Sequence, residues 1–275
     1  MHIALSTLGC PGWDLDTIRT TAAENGYDGV DFRGYRNEID VTQHPRFTDR
    51  LDDTLSVLAD AGLTVSGLST SIRLCFAHAR EENLAEAERY IELAGEMGVD
   101  TIRMFGVGDV DEHSLEGLAR VGGETMRDIL ALDGAEELRW LVETHDNWTS
   151  AEDCRLLLDH LPGENTGVLW DVGHTTRIGG ESPAETLDAI GDRIEYVHLK
   201  DAVYDPGNEN AREDGWVFVL PGEGELPIAE AVRELDDWGY DGWLVFEHEK
   251  RWQPHVADPA VAYPAFADWY RSVRE

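Results

Sequence analysis

One local pattern recurs along this chain and limits what it can fold into. A mixed polar and apolar helical stretch closes on a glycine, and a short β-branched run follows within a few residues. It occurs at Ala-Glu-Asn-Gly26 before Gly-Val-Asp-Phe32, and at Ala-Asp-Ala-Gly62 before Thr-Val-Ser-Gly-Leu68. It returns at Gly-Glu-Met-Gly98 before Thr-Ile-Arg-Met-Phe105, and at Asp-Asp-Trp-Gly239 before Trp-Leu-Val-Phe246. A helix that stops on a left-handed glycine and turns into a strand is the second half of a strand–helix–strand unit. Extending the pattern gives eight strands, at 2–7, 29–34, 64–70, 101–106, 139–145, 167–171, 196–199 and 242–247. Helices fall between them near 14–25, 47–61, 81–97, 113–131, 150–161, 182–191 and 226–238, with a last one near 257–273. Eight alternations in about 250 residues predict an α/β fold, a (β/α)8 barrel. No G-x-G-x-x-G follows the first strand, which leaves an open doubly wound sheet unsupported. No linker-like stretch divides the chain, so residues 1–275 are expected to form a single domain.

The second half of the chain carries the chemistry. Strand five ends Leu-Val-Glu143-Thr-His145-Asp146 and strand six Val-Leu-Trp-Asp171-Val-Gly-His174. Strand seven ends Tyr-Val-His198-Leu-Lys200-Asp201 and strand eight Leu-Val-Phe-Glu247-His-Glu249. Consecutive barrel strands are neighbours, so Glu143, Asp171, His198 and Glu247 are expected at one rim, the C-terminal face where barrels place their sites. Three carboxylates buried side by side need a cation to compensate them. Three oxygen donors and one imidazole suit a single divalent ion, Mn²⁺, Mg²⁺ or Co²⁺ before Zn²⁺, with positions left for a substrate.

These strand ends, with the Trp170-Asp171-Val-Gly-His174 run, Val-His198-Leu-Lys200-Asp201, the Gly222-Glu-Gly224 turn and Phe246-Glu247, resemble the xylose-isomerase-like barrels of the sugar phosphate isomerase/epimerase group. That group includes ketose 3-epimerases, hydroxypyruvate isomerases and inosose-processing enzymes. The likeness runs over most of the chain. It implies that Glu143, Asp171, His198 and Glu247 hold one metal ion, that Glu143 and Glu247 also move protons, and that His174 touches substrate.

The chemistry also follows from the residues. A metal chelating the carbonyl and adjacent hydroxyl of a sugar or polyol ketone acidifies the α C–H, and a carboxylate removes that proton to give a metal-stabilised enediolate. Return of the proton at the neighbouring carbon isomerises the substrate; return to the opposite face epimerises it. Expulsion of a β-hydroxyl instead makes the enzyme a dehydratase or lyase, the alternative reading. Lys200 and His145 lie two residues beyond His198 and Glu143, share their strand parity, and are expected to bind substrate. Arg33, Arg103 and His78 follow earlier strand ends and could meet hydroxyls or a phosphate, while Trp13, Trp148 and Trp216 could wall a sugar ring. Glu249 and His248 read as outer contacts. No phosphate cradle is visible, which favours an unphosphorylated carbohydrate. The long segment 202–225 after strand seven reads as a functional or mobile loop.

Composition narrows the partners. Fifty-six acids face 22 basic residues, only Lys200 and Lys250 among them lysines, for a net charge of -34. Such a surface suits high salt, where screening suppresses self-repulsion, so a halophilic source is expected. It also weighs against nucleic acid as a partner. An endonuclease-IV-like nuclease would need further histidines, among them an Asp-x-His pair just after strand seven. The sequence there is Asp201-Ala-Val-Tyr-Asp205. A non-catalytic metal- or sugar-binding protein is the remaining alternative. Cys10, Cys75 and Cys154 are too far apart for a zinc motif or a disulfide framework and read as buried or idle thiols. The start of the chain enters a strand directly and no long apolar run occurs, so a cytoplasmic protein with no membrane partner is expected. The C-terminal helix and the 202–225 loop offer surfaces for a homodimer or homotetramer.

Overall fold

The computed structural model describes residues 1–275. Eight parallel strands close on themselves: β1 (His2–Ser6), β2 (Gly29–Phe32), β3 (Thr64–Arg73), β4 (Thr101–Phe105), β5 (Arg139–Glu143), β6 (Thr166–Asp171), β7 (Ile194–Leu199) and β10 (Trp243–Phe246). Around the barrel the order is β1-β10-β7-β6-β5-β4-β3-β2. The helices outside are α1 (Leu15–Asn25), α2 (Leu51–Ala59), α3 (Arg80–Met97), α4 (Leu115–Leu130), α5 (Ala151–Leu158), α7 (Pro183–Ile190), α8 (Ile228–Trp238) and α9 (Pro259–Arg274). This is the expected (β/α)8 barrel, with every expected strand and helix present within a few residues of its expected bounds.

Local chemistry sets the element ends. Side chains of Asp14, Ser114, Ser150 and Ser182 accept hydrogen bonds from backbone N–H groups in the first turns of α1, α4, α5 and α7, satisfying donors that a helix N-terminus leaves unpaired. Gly26, Gly98 and Gly239 close α1, α3 and α8 at φ between 65° and 86°, a conformation that penalises residues with a Cβ.

Two elements go beyond the sequence reading. A six-residue helix, α6 (Val172–Arg177), follows β6 directly, its N-terminus capped by Asp171, whose Oδ1 accepts from His174 N at 2.9 Å. Part of the 202–225 segment, expected as a plain loop, is an antiparallel hairpin of β8 (Asp201–Tyr204) and β9 (Trp216–Val219). Asp201 ties its base: Oδ2 accepts from Gly222 N at 2.8 Å and Gly224 N at 3.0 Å. Phe218 of β9 faces Arg177, Lys200 and Arg212, each 5.2–5.6 Å from its ring centre, which seats the hairpin on the rim.

The barrel interior is layered. At the bottom Ala4, Leu141, Leu169, Tyr196 and Val245 form a separate apolar cluster. The Tyr196 ring lies against Gly67, where an added Cβ would meet its hydroxyl at 3.2 Å. The larger core lies between strands and helices, with Trp140, Trp148 and Trp170 fully buried. All three cysteines are free and buried, and burial pushes each thiol up to about 12. No helix is long and apolar enough to cross a membrane.

Candidate active site

Side chains alternate along a strand, so a residue two positions after an inward-pointing one also points inward, one layer higher. Two residues beyond Leu141, Leu169, Tyr196 and Val245 of the apolar plug stand Glu143, Asp171, His198 and Glu247. Register aligns them: Asp171 pairs with His198 across β6 and β7, and Glu143 with Leu169 across β5 and β6. Their ligand atoms lie within 4.8 Å of one another, the one such group in the structure, and all four residues are buried, none more than 6% exposed.

The donors that face the centre have no hydrogen-bond partner. Glu143 Oε1, Asp171 Oδ2 and both ring nitrogens of His198 are buried without one. His198 Nδ1 stands 3.4 Å from Glu247 Oε1 and 3.7 Å from Glu143 Oε1. Buried polar atoms are paired in the great majority of cases, and four orphan atoms around one point, carried by three ionisable residues, fit a cation. The donor set, hard oxygens with one imidazole, could hold a divalent metal ion.

The outward oxygens are already engaged. Glu143 Oε2 accepts from Arg103 Nε at 2.8 Å and also contacts Arg103 Nη2. Glu247 Oε2 accepts from Lys200 Nζ at 2.5 Å. The Lys200 ammonium also donates to Glu249 Oε1 at 2.7 Å and lies 2.9 Å from Asp171 Oδ2, off the hydrogen-bonding direction. Gly173 makes room for it, since a Cβ there would meet Lys200 Cγ at 3.0 Å.

These pairings set the protonation states. Burial alone would push Glu143 up, but Arg103 and His198 outweigh it and hold the carboxyl below its ordinary range. Burial acts the same way on Glu247, and Lys200 and His198 hold it well below. For Asp171 burial wins over Lys200 and lifts the group to about 6. Burial would lower His198, but Glu247 and Glu143 carry it up to about 10. Burial likewise opposes the Lys200 charge, and Asp171, Glu247 and Glu249 hold it well above its usual value. His174 is held well below its usual value by burial and by Lys200 and His145, so it is neutral.

Above this layer opens a cavity of about 310 Å³. His145, His174 and Lys200, expected from the sequence to contact substrate, line it together with Arg33 and Arg103. His145 Nδ1 lies 2.9 Å from Asp146 Oδ2, and Asp146 takes φ 52° to place its carboxylate there. The His145 and His174 rings meet edge to face with centres 4.6 Å apart. His174 Nδ1 lies 3.2 Å from Thr144 O, which fixes the proton on Nδ1, and its Nε2 lies 3.5 Å from Lys200 Nζ.

Other expectations are corrected. His78 is exposed beside Glu112 at 3.3 Å, away from the cavity. Trp148 is buried, its indole donating to Gly106 O at 2.5 Å, Trp13 packs on the core and Trp216 is in the hairpin; the tryptophan on the cavity wall is Trp252. Glu249, expected as an outer contact, lines the cavity and holds Lys200. It shares the parity of Glu247 two residues before it, a signal already present in the sequence. Arg212, also on the wall, comes from the hairpin segment and had no such signal.

Residues 20–273 match the family described as xylose isomerase-like TIM barrel. An inosose dehydratase of Lacticaseibacillus casei is 32% identical over 169 residues, 56% of this chain and 49% of that protein. One from Geobacillus kaustophilus is 32% identical over 123 residues, 42% of this chain and 37% of that protein; the matches thus span half or less of these relatives' length. Among solved structures, a probable 3-DHS dehydratase of Bacillus anthracis superposes with a TM-score of 0.78 at 17% identity, covering 98% of this chain and 99% of that one. With the barrel, the layered rim and the match over nearly its whole length, the chain belongs to the xylose isomerase-like TIM barrel family.

Proposed function

We propose that the chain is a divalent-metal-dependent enzyme that removes the proton α to the carbonyl of a small polyhydroxy ketone, and that the reaction runs on to loss of water. The observation that carries the metal-dependent reading is the ring of unpartnered, buried donor atoms on Glu143, Asp171 and His198, with Glu247 beside them. A metal bound there would supply Lewis-acid charge to a chelated carbonyl and hydroxyl.

The residues around it divide the remaining work. Glu143 and Glu247 each have one oxygen committed to a cation and the other turned to the ligand cluster, which leaves neither free to shuttle protons. His145 is better placed as the base. Burial opposes a charge on its ring, but the Asp146 carboxylate, 2.9 Å from Nδ1 though off the hydrogen-bonding direction, outweighs it and raises the ring's affinity for a proton. It takes the α proton and returns it to the β-hydroxyl as the C–O bond breaks, so the products are an unsaturated ketone and one water. Neutral His174 offers Nε2 to a substrate hydroxyl in place of its 3.5 Å contact with Lys200 Nζ, and the Lys200 ammonium faces negative charge that develops on the oxygens.

The sequence alone favours isomerisation or epimerisation. Two observations bring dehydration forward: the engaged glutamate oxygens, and relatives whose names are those of inosose dehydratases. Epimerisation stays the second reading because two carboxylate oxygens, Glu143 Oε1 and Glu247 Oε1, lie within 3.7 Å of His198 Nδ1 with no Lys or Arg paired to either.

Incubation with an inosose and Mn²⁺ in D₂O and molar KCl, read by NMR and mass, tests this. A product lighter by one water supports dehydration. Deuterium on the α carbon without loss of water supports epimerisation or isomerisation. Metal-loaded protein that catalyses neither exchange nor water loss on any polyol ketone would sink the enzymatic reading.

A further inference from the structure

Four of the chain's 22 basic side chains line one cavity of 12 residues, in a protein with 56 acids. Three of the four have partners. Lys200 is held by Glu247 and Glu249, Arg103 by Glu143 and by Thr70 O at 3.2 Å, and Arg212 by Glu249 at 3.5 Å. Arg33 has none. It is 8% exposed, its Nη1 is buried without a hydrogen-bond partner, and it belongs to none of the site's ion pairs. Its guanidinium carbon stands 5.7 Å from the centre of the Phe105 ring, which Arg103 also covers at 3.5 Å.

No carboxylate makes a hydrogen bond or an ion pair with Arg33, although the charges of Glu86 and Glu143 act on it from a distance. Glu143 belongs to Arg103, and Glu86 Oε1 accepts from Ser71 N at 2.6 Å. Desolvation and repulsion from Arg103 bring Arg33 down to about 10, still protonated at neutral pH. A buried guanidinium with an open donor and a second guanidinium beside it is costly unless an anion completes it. Its planar donor fork matches a carboxylate.

We infer that the substrate carries a carboxylate, and that Arg33 binds it at the end of the cavity formed by β2 and β4. This rests on the proposed metal-dependent reaction and adds the substrate's class: a polyhydroxy ketone acid rather than a neutral polyol ketone. A single free guanidinium balances one negative charge, whereas a phosphate monoester carries ≈ -1.5 to -2 near neutral pH. The cavity, about 310 Å³, is at the small end for ligand sites and suits a single ring. The carboxylate anchors the ring while its carbonyl end faces Glu143 and Glu247.

The test measures binding, not turnover. Titration with Mn²⁺ comes first; failure to take up metal would count against the metal centre itself and is read separately. Calorimetry on Mn²⁺-loaded protein then compares quinate, a tetrahydroxycyclohexane carboxylate, with myo-inositol, its neutral counterpart, at constant KCl. Quinate is expected to bind about tenfold or more tightly, as charge-assisted hydrogen bonds are the strong ones. Arg33→Gln should bring the ratio to about one while moving myo-inositol less than about twofold, and Arg33→Lys should keep part of the preference. Equal affinities in the wild-type protein, absence of binding by either compound, or a preference that survives Arg33→Gln would each overturn the inference. Inorganic phosphate displacing quinate at lower concentration than acetate does would overturn it in favour of a phosphorylated substrate. Should Arg33→Gln fail to fold, wild-type protein still decides: acetate must displace quinate and leave myo-inositol bound.

Discussion

Two polar clusters sit inside the same barrel, and they differ in how their atoms are satisfied. Around Asp31 every group has a partner: Ser6 Oγ donates to Oδ1 at 3.0 Å, Tyr196 Oη donates to Oδ2 at 3.1 Å, and Ser66 Oγ lies 2.7 Å from the same Tyr196 oxygen. The Tyr196 and His198 rings lie 5.9 Å apart, so the second cluster is close by. There Glu143, Asp171 and His198 keep donor atoms unpartnered at comparable burial. Burial is therefore not what marks a ligand site; unfinished hydrogen bonding is. Asp31 is a closed structural network, and the quartet is arranged for something that is not protein.

The sharpest break between the two would come from Asp171→Asn. Loss of one charged donor should remove bound Mn²⁺ and cut turnover by about 10³-fold or more, given that the ion would supply the Lewis acid. In metal-free protein the same change should be neutral or raise Tm, because burial already opposes the Asp171 charge. Metal analysis and a thermal melt together decide it. Retained metal, or a large fall in metal-free Tm, would place Asp171 with Asp31 as a structural acid.

His145→Gln comes next. It should lower turnover by about 10²–10⁴-fold, the range for a lost general base, with metal content unchanged and α-proton exchange in D₂O abolished. Glu143→Gln, in contrast, should reduce metal uptake as well. Exchange that persists without His145 would return the proton-transfer role to the glutamates.

A milder probe is pH. In metal-free protein His198 is lifted to about 10 and Asp171 to about 6. For both groups the folded value exceeds the unfolded one, so each favours the fold fully below its unfolded value and loses that contribution as pH rises through its folded value. A metal ion must displace those protons. Apparent Mn²⁺ affinity should therefore rise about tenfold per pH unit between about 6 and 10, where His198 alone carries the displaced proton, and more steeply below about 6. Calorimetry in buffers of different ionisation enthalpy should count one released proton near pH 7.5. No release would mean that His198 is neutral without metal and that Glu247 and Glu143 do not hold a proton on its ring.

Most of this was legible in the sequence because period-two alternation fixes the barrel layers. Once Leu141, Leu169, Tyr196 and Val245 are inward, the quartet two residues on must be inward too, and so must His145, Lys200 and Glu249 two residues beyond. Glu249 was missed although the rule covers it. Arg33 and Arg103 carried parity but no partner pattern, since an ion pair such as Arg103 with Glu143 joins residues 40 positions apart. Arg212 and Trp252 come from segments after β8 and after β10, where no period applies. The hairpin was hidden by its polar tip, Pro-Gly-Asn-Glu-Asn at 206–210, which reads as loop whether or not strands flank it. Likewise α6 has six residues, too few for a helical period to show.

The smallest effect on the metal centre should come from the neighbouring network. Tyr196→Phe removes the hydroxyl that links Ser66 to Asp31 and leaves the ring against Gly67 in place. Asp31 Oδ2 would then be buried without its donor, a loss of about 1–3 kcal/mol. Burial already pushes the Asp31 carboxyl up, and removing a donor should push it further, so the stability loss should be greater near pH 7 than near pH 4. Mn²⁺ affinity should move by less than about threefold, because the Asp31 charge persists and no ligand atom is touched. Chemical denaturation at the two pH values, alongside a Mn²⁺ titration, measures both. A variant that keeps its stability but loses metal would show that the two clusters are one continuous network, and that Asp31 takes part in holding the ion.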